Sequence, residues 1–268
     1  MKKLKFHYNM TIEFTSPISN HNFKLKCLPK SGSRQTVSEL NFEITPNVKL
    51  SSGTDGFGNL TRYGSISEEH TLFGVTVEGM CEMNGGFYDA DVNPPMLGLF
   101  KVQTPLTEAG EALTEFVNNL NLPEGDSLEK SRFIMHEVYK HFEYVPKSTS
   151  IATSAEESFA LGKGVCQDYS QSMLSICRSL GIPCRYVTGL LMGEGETHAW
   201  TEIYSDGKWY GLDPTNDVEV SENHIVISTG RDSADCSINR GIFRGSGTQS
   251  QKIYVKVEEV HDTNSNAG

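Results

Sequence analysis

A chain of 268 residues, 37% hydrophobic and 21% charged, has the composition of an ordinary soluble globular protein and is long enough for two domains. Its formal charge of −11 argues against nucleic acid or an anionic membrane as the main partner. Nowhere do about 18 apolar residues run together, so no membrane span is expected.

Residues 1–100 read as β structure. Phe6, Tyr8, Met10, Ile12 and Phe14 alternate with polar residues at period two. The stretches Phe23–Leu28, Glu39–Ile44 and His70–Met80 repeat the pattern. Turn signals separate them at Ser16-Pro17, Pro29 to Ser33, Pro46-Asn47 and Asp55-Gly56-Phe57-Gly58-Asn59. Short strands at this spacing predict an antiparallel β-sandwich.

Asn93-Pro94-Pro95 reads as a linker, and the pattern then changes to helical. Thr107 is the expected N-cap of a helix reaching Val117, and Ser127 opens a second helix. A third is expected from about Cys166 to Leu180, stopping at Gly181-Ile182-Pro183, with Tyr169, Met173, Ile176 and Leu180 facing a core. Strands follow at Cys184–Leu191, His198–Tyr204 and Lys208–Leu212, the last two joined by an Asp206-Gly207 hairpin turn. Further strands are expected at Ile225–Ile227 and Lys252–Val257, before a frayed tail at 264–268. The division predicted is 1–100, 101–262 and a tail at 263–268.

The six cysteines include no CxxC pair, which argues against a disulfide framework or a zinc cluster. Polar residues interrupt the segment after Met1-Lys2-Lys3-Leu4-Lys5, so it does not read as a signal peptide. A cytoplasmic location with reduced thiols is expected.

One chemical constellation stands out: Cys166 at a helix start, His198 at a strand start and Asp213 at a strand end. A free thiol has a pKa near 8.5, and making thiolate dominant takes roughly 2–4 pH units, about 3–5 kcal/mol. A helix N-terminus supplies only about 1–2 kcal/mol. An imidazolium is therefore needed as well, and a carboxylate on its far nitrogen would fix the tautomer. The hairpin register puts Ser205 opposite Lys208 and His198 two residues past Asp213, so a bulge is expected to bring the pair together. Each residue also has an ordinary use: a small buried hydrophobe, a structural histidine, a turn carboxylate. Cys166, His198 and Asp213 could alternatively hold zinc with one position open.

Four segments carry a resemblance. They are Gly164-Val165-Cys166-Gln167-Asp168-Tyr169-Ser170, Ser179 to Gly189, Thr197-His198-Ala199-Trp200-Thr201-Glu202, and Trp209 to Asn216. In that order they resemble the bacterial transglutaminase-like family of the papain-like cysteine-enzyme superfamily, over roughly 105–258. Asp55 to Asn59 and the His70–Val77 stretch are similar to the β-sandwich preceding this domain in many bacterial members. Gly230-Arg231-Asp232 and Arg240 to Gly245 resemble its closing segment.

The resemblance implies an α+β fold, with a helix-borne cysteine packed on an antiparallel sheet behind an all-β sandwich. It implies Cys166 as nucleophile, His198 as general base and acid, and Asp213 as orienting carboxylate. It implies acyl transfer from a peptide or protein amide through a thioester, to water or to an amine, with no cofactor and no metal. Degenerate members would be peptide-binding modules instead. Beside these, the Cys166 N–H is a natural oxyanion donor. Tyr144 is a candidate second donor, and Trp200 either walls the site or packs. Gln167 reads as structural, Asp168 as a first-turn acid favouring the helix dipole, and Cys177 and Cys184 as core.

Overall fold

The structure, a computed structural model, describes residues 2–85, 87–89 and 93–261, and the expected frayed tail lies outside them. In chain order the first part gives β1 (Lys2–Leu25), β2 (Gln35–Thr45), β3 (Ser51–Thr54), β4 (Leu60–Ile66), β5 (His70–Met83) and β6 (Phe87–Asp89). Next come α1 (Pro94–Leu99), α2 (Glu111–Asn119), α3 (Ser127–His141), β7 (Glu143–Tyr144), α4 (Ala155–Leu161), β8 (Lys163–Gly164) and α5 (Cys166–Ser179). The last part is β9 (Cys184–Leu191), β10 (Gly193–Gly195), β11 (His198–Ser205), β12 (Lys208–Asp213), β13 (Val218–Glu219), β14 (His224–Gly230), β15 (Asn239–Arg244) and β16 (Gln249–Glu259).

The period-two pattern near the N-terminus organises a curled eight-stranded antiparallel sheet. Leu4, Phe6, Tyr8, Met10, Ile12 and Phe14 are buried, while Lys5 and Glu13 face solvent. The first half of β1 lies between β5 and β16, and its second half between β4 and β15. The turn expected at Ser16-Pro17 is instead part of β1. The β1–β5 register slips between Glu13 and Ile18, so Pro17, with no N–H to give, falls where the strand changes partners.

A second, six-stranded sheet runs β13-β12-β11-β9-β14, with β6 added beside β12. Helices α2 to α5 pack on it through Leu113, Ile134, Val138, Phe159, Met173 and Ile176, closing a second core with Ala199, Ile203 and Leu212. The hairpin turn is as expected, with positive φ at Asp206 (45°) and Gly207 (76°).

Two expectations in the helical part change. Asn93 is no linker residue but caps α1, accepting the Met96 N–H at 3.0 Å. Thr107 is buried and does not start α2. Its Oγ1 accepts the Thr104 N–H and an Arg178 N–H, each at 2.9 Å. The α2 N-terminus is capped from another helix: Glu156 accepts the N–H groups of Gly110, Ala112 and Leu113 at 2.9, 2.7 and 3.1 Å.

Strands cross between the two parts of the chain. β6 joins the second sheet, while β10, β15 and β16 join the first, so Lys252–Val257 pairs with β1. Leu190, Ile225 and Ile227 of the second sheet also complete the first sheet's core. The free edge of β14 is closed by side-chain amides from the N-terminal part. Gln35 exchanges two hydrogen bonds with the Val226 backbone, both 2.8 Å, and Asn59 does the same with Thr229, both 2.8 Å. The Asp55–Asn59 loop is folded for this task. Asp55 accepts from the Phe57 and Asn59 N–H groups and pairs with Lys26 at 2.6 Å.

Candidate active site

The start of α5 is shaped by its own third residue. Asp168 folds back so that its carboxylate accepts the Val165 N–H at 2.8 Å and the Thr149 hydroxyl at 2.7 Å. Gly164 leaves the room, since a Cβ there would lie 2.5 Å from the Asp168 Cβ. Asp168 thus locks the approach to Cys166 as well as sitting at the positive end of the helix. Burial raises its pKa against those two hydrogen bonds. Cys166 itself is half-buried; the other five cysteines, Cys177 and Cys184 among them, are buried.

His198 and Asp213 meet. His198 Nε2 lies 2.7 Å from Asp213 Oδ2, with the carboxylate fully buried. The predicted register holds, Ser205 facing Lys208 and Thr201 facing Leu212, and no bulge intervenes between these strands. The contact is diagonal, within reach of side chains two positions apart on one face. The other carboxylate oxygen does turn work, accepting the Thr215 N–H at 3.0 Å and the Asn216 N–H at 3.3 Å. Asn216 Nδ2 adds a donor to Oδ2 at 2.7 Å.

Burial works against a charged His198, but hydrogen bonds to Asp213 and then Cys166 outweigh it and raise its pKa to about 10. With Nε2 on Asp213, Nδ1 is the ring nitrogen left for the thiol. Burial opposes ionisation of Asp213 too, yet its histidine and asparagine partners hold it well below the usual carboxylate range. The raised imidazole contributes stability fully below its ordinary value of about 6.5 and loses it as pH climbs toward 10. The depressed carboxylate contributes above its ordinary value of about 3.9 and loses it as pH falls. The melting-temperature gap between wild type and Asp213→Asn should therefore be widest between about pH 4 and 6.5 and narrow toward pH 10. A gap that is flat across this range would contradict the ion pair.

A cleft of about 590 Å³ opens onto Cys166 and His198, walled by Tyr144, Ile151, Gln167, Met192 and Glu196 among others. Tyr144 is half exposed in this wall; burial, then the nearby Cys166 and Glu196, raise its phenol pKa. Gln167 reaches the Ser150 carbonyl at 3.3 Å. Trp200 is fully buried and is not among the cleft-lining residues; its ring lies 6.2 Å from that of His198. Gly189 makes its position possible, because a Cβ there would lie 2.3 Å from the indole. A larger cavity, about 820 Å³, is lined by Arg34, Tyr88, Arg185 and Trp209 and by none of Cys166, His198 or Asp213.

Sequence reading gives no role to Asn216, although it ends the Trp209–Asn216 segment, and does not single out His224. His224 Nε2 stands 3.5 Å from Asp213 Oδ2, and His198, Asp213 and His224 place their ligand atoms within 4.8 Å of one another. The converging group is therefore not the Cys166, His198 and Asp213 set considered for zinc. A neutral ring carries one proton, and His224 Nδ1 accepts the Ser221 N–H at 3.3 Å. The proton then sits on Nε2, which faces Asp213 at 3.5 Å as an electrostatic contact without completing a hydrogen bond, and a protonated nitrogen offers no lone pair to a metal. No spacing rule marks His224; it only opens a short apolar strand.

Residues 114–214 match the model of the transglutaminase-like superfamily core, and residues 4–82 match the bacterial transglutaminase-like N-terminal region. An uncharacterized protein of Mycobacterium tuberculosis is 28% identical over 274 residues, covering 87% of this chain and 84% of that protein. One of Mycobacterium leprae is 25% identical over 289 residues, covering 97% and 100%. A crystal structure from Cytophaga hutchinsonii, described as a "putative cysteine protease", is 21% identical. It covers 97% of this chain and 91% of that one with a TM-score of 0.82, which shows a shared fold. Both matched regions, in the expected order and on this fold, make the chain a member of the transglutaminase-like superfamily with a bacterial transglutaminase-like N-terminal region.

Proposed function

We propose that this protein is a cysteine enzyme that hydrolyses amide bonds of peptides or proteins through a thioester on Cys166. The supporting observation is the 2.7 Å contact between His198 and the buried Asp213, with His198 and the half-buried Cys166 at the head of α5 both opening on one cleft. In this reading His198 takes the thiol proton and the sulfur attacks the amide carbonyl. The imidazolium gives that proton to the departing amine as the C–N bond breaks, leaving the thioester. His198 then deprotonates water, whose oxygen displaces the sulfur. The N–H groups of Cys166 and Gln167, ahead of the first hydrogen-bonded turn of α5, suit the oxyanion, with the Cys166 N–H foremost. Tyr144 is the proposed second donor or wall. Exposed Tyr144, Ile151 and Met192 around the cleft suit the side chains of a peptide. Six unpaired cysteines suit a reducing compartment such as the cytoplasm.

A glutamine peptide incubated with and without a primary amine tests the reading. Ammonia release without amine incorporation, absent in Cys166→Ala, is expected; incorporation would make water the wrong acceptor. Iodoacetamide near neutral pH should modify Cys166 far faster than the other five. Burial raises Cys27 and Cys81 to about 12. Equal labelling of all six would remove the nucleophile from the proposal.

A further inference from the structure

We propose that His224 is a positioning residue for the His198–Asp213 pair, and that Arg34 of the N-terminal part holds it in place. This rests on the reading of Cys166, His198 and Asp213 as the reacting set, and extends it across the boundary between the matched regions.

Asp213 needs a fixed carboxylate, because Oδ2 must keep facing His198 while the imidazole trades protons. Two groups already hold it: the Thr215 and Asn216 main-chain donors on Oδ1 and the Asn216 amide on Oδ2. His224 comes from the opposite side, from the strand that begins after the Ser221 turn. Its ring is edge-on to Trp200, centroids 5.3 Å apart, and 6.3 Å from the His198 ring. Buried between these rings, it keeps Nε2 facing Asp213 Oδ2 at 3.5 Å, a long charge–dipole contact in which Nε2 completes no hydrogen bond.

What fixes the backbone beneath His224 is Arg34. One Nη2 donates to the Ser221 carbonyl at 3.0 Å and to the His224 carbonyl at 3.2 Å, while Nη1 holds the Gly85 carbonyl at 2.8 Å. Gln35 next to it grips Val226 through both amide atoms. The N-terminal part thus ends in a clamp on the turn that carries the ring. The titratable and charged groups facing His224 are Asp213, His198 and Arg34. Burial foremost, with the two cations, holds its pKa below the ordinary value against the pull of Asp213, so the ring stays neutral near neutral pH with its one N–H facing the carboxylate.

Alkylation of Cys166 by iodoacetamide across pH 5–10 tests this on the full chain, without requiring a known substrate. His224→Phe removes the donor, and His224→Gln keeps an N–H near the Nε2 position. The expected result is alkylation at pH 7 slowed about fivefold in His224→Phe, the net worth of one ordinary polar contact, with its pH midpoint displaced. Rescue to within about twofold is expected in His224→Gln. Arg34→Gln should shift the profile in the same direction, and its effect should not add to that of His224→Phe. His198→Ala separates the two claims. If it changes the profile while His224→Phe does not, the positioning role is overturned and the reactive pair stands. If His198→Ala also leaves the profile unchanged, the underlying reading has failed. Equal losses in His224→Phe and His224→Gln, with the fold intact by circular dichroism, would make His224 a packing residue and overturn the proposal.

Discussion

Cys166→Ala is expected to remove amide turnover, lowering kcat/KM by about 10⁴-fold or more, as loss of a covalent nucleophile does. His198→Ala should fall to a similar floor, and the double variant should be no worse, because groups acting as a unit are not additive. The reason is visible in the proposed order of events. Without sulfur no thioester forms, and what remains is the orientation supplied by the cleft and the helix N-terminus. The far-UV spectrum should be unchanged, since Cys166 is half-buried at a helix end and contributes only the edge of a core. Steady-state assay with a peptide amide, alongside circular dichroism, checks both halves. A folded Cys166→Ala variant that still turned substrate over would end the thioester mechanism.

A large effect on stability is expected elsewhere, at Arg185. Arg185 and Glu202 face each other across β9 and β11, and their ion pair measures 2.7 Å with Glu202 fully buried. The Tyr88 hydroxyl also donates to Glu202, at 2.8 Å, and the guanidinium stacks 4.1 Å over the Trp209 ring. Arg185→Met leaves the carboxylate buried without its cation, which costs about 3–5 kcal/mol. At roughly 2–4 °C per kcal/mol for a protein of this size class, the melting temperature should drop by about 6–20 °C. Arg185→Met with Glu202→Leu should recover most of the loss, because the pair spends much of its attraction on desolvation. Urea unfolding of the two variants measures this. A single variant within about 1 kcal/mol of wild type would show that Glu202 had been protonated or rescued by water.

How much was readable in the sequence depended on chain distance. Cys166, His198 and Asp213 each sit at a place fixed by local rules: a helix start, a strand start and a strand end set by a two-residue turn. The Asp206-Gly207 hairpin brought His198 and Asp213 to within two residues of each other; the expected bulge is absent because the side chains meet diagonally, and the approach of Cys166 could not be counted from the hairpin. The N-terminal strands were equally legible, because alternation is a local pattern. Thr107 misled because cap preference is also local, whereas the group that caps α2, Glu156, arrives from 46 residues away. Farther apart still are the partners of β14. Gln35 and Asn59 meet it across 191 and 170 residues, and an amide that imitates a neighbouring strand leaves no periodic trace. Trp200 shows the same limit: its place beside His198 offered a wall or a core, and burial against Gly189 is decided by the neighbouring strand.

The exchange of strands between the two sheets restricts how this architecture can be rearranged. Because β6 lies in the sheet of later residues while β10, β15 and β16 lie in that of earlier ones, no single cut in the chain separates them. A version trimmed near residue 100 would lose not a detachable cover but the neighbour of its own last strand, leaving β16 with an open row of N–H and C=O groups. Grafting the later half alone onto another protein would carry that sticky edge along. The earlier and later parts of the chain therefore fold as one unit, each supplying strands that the other's sheet requires.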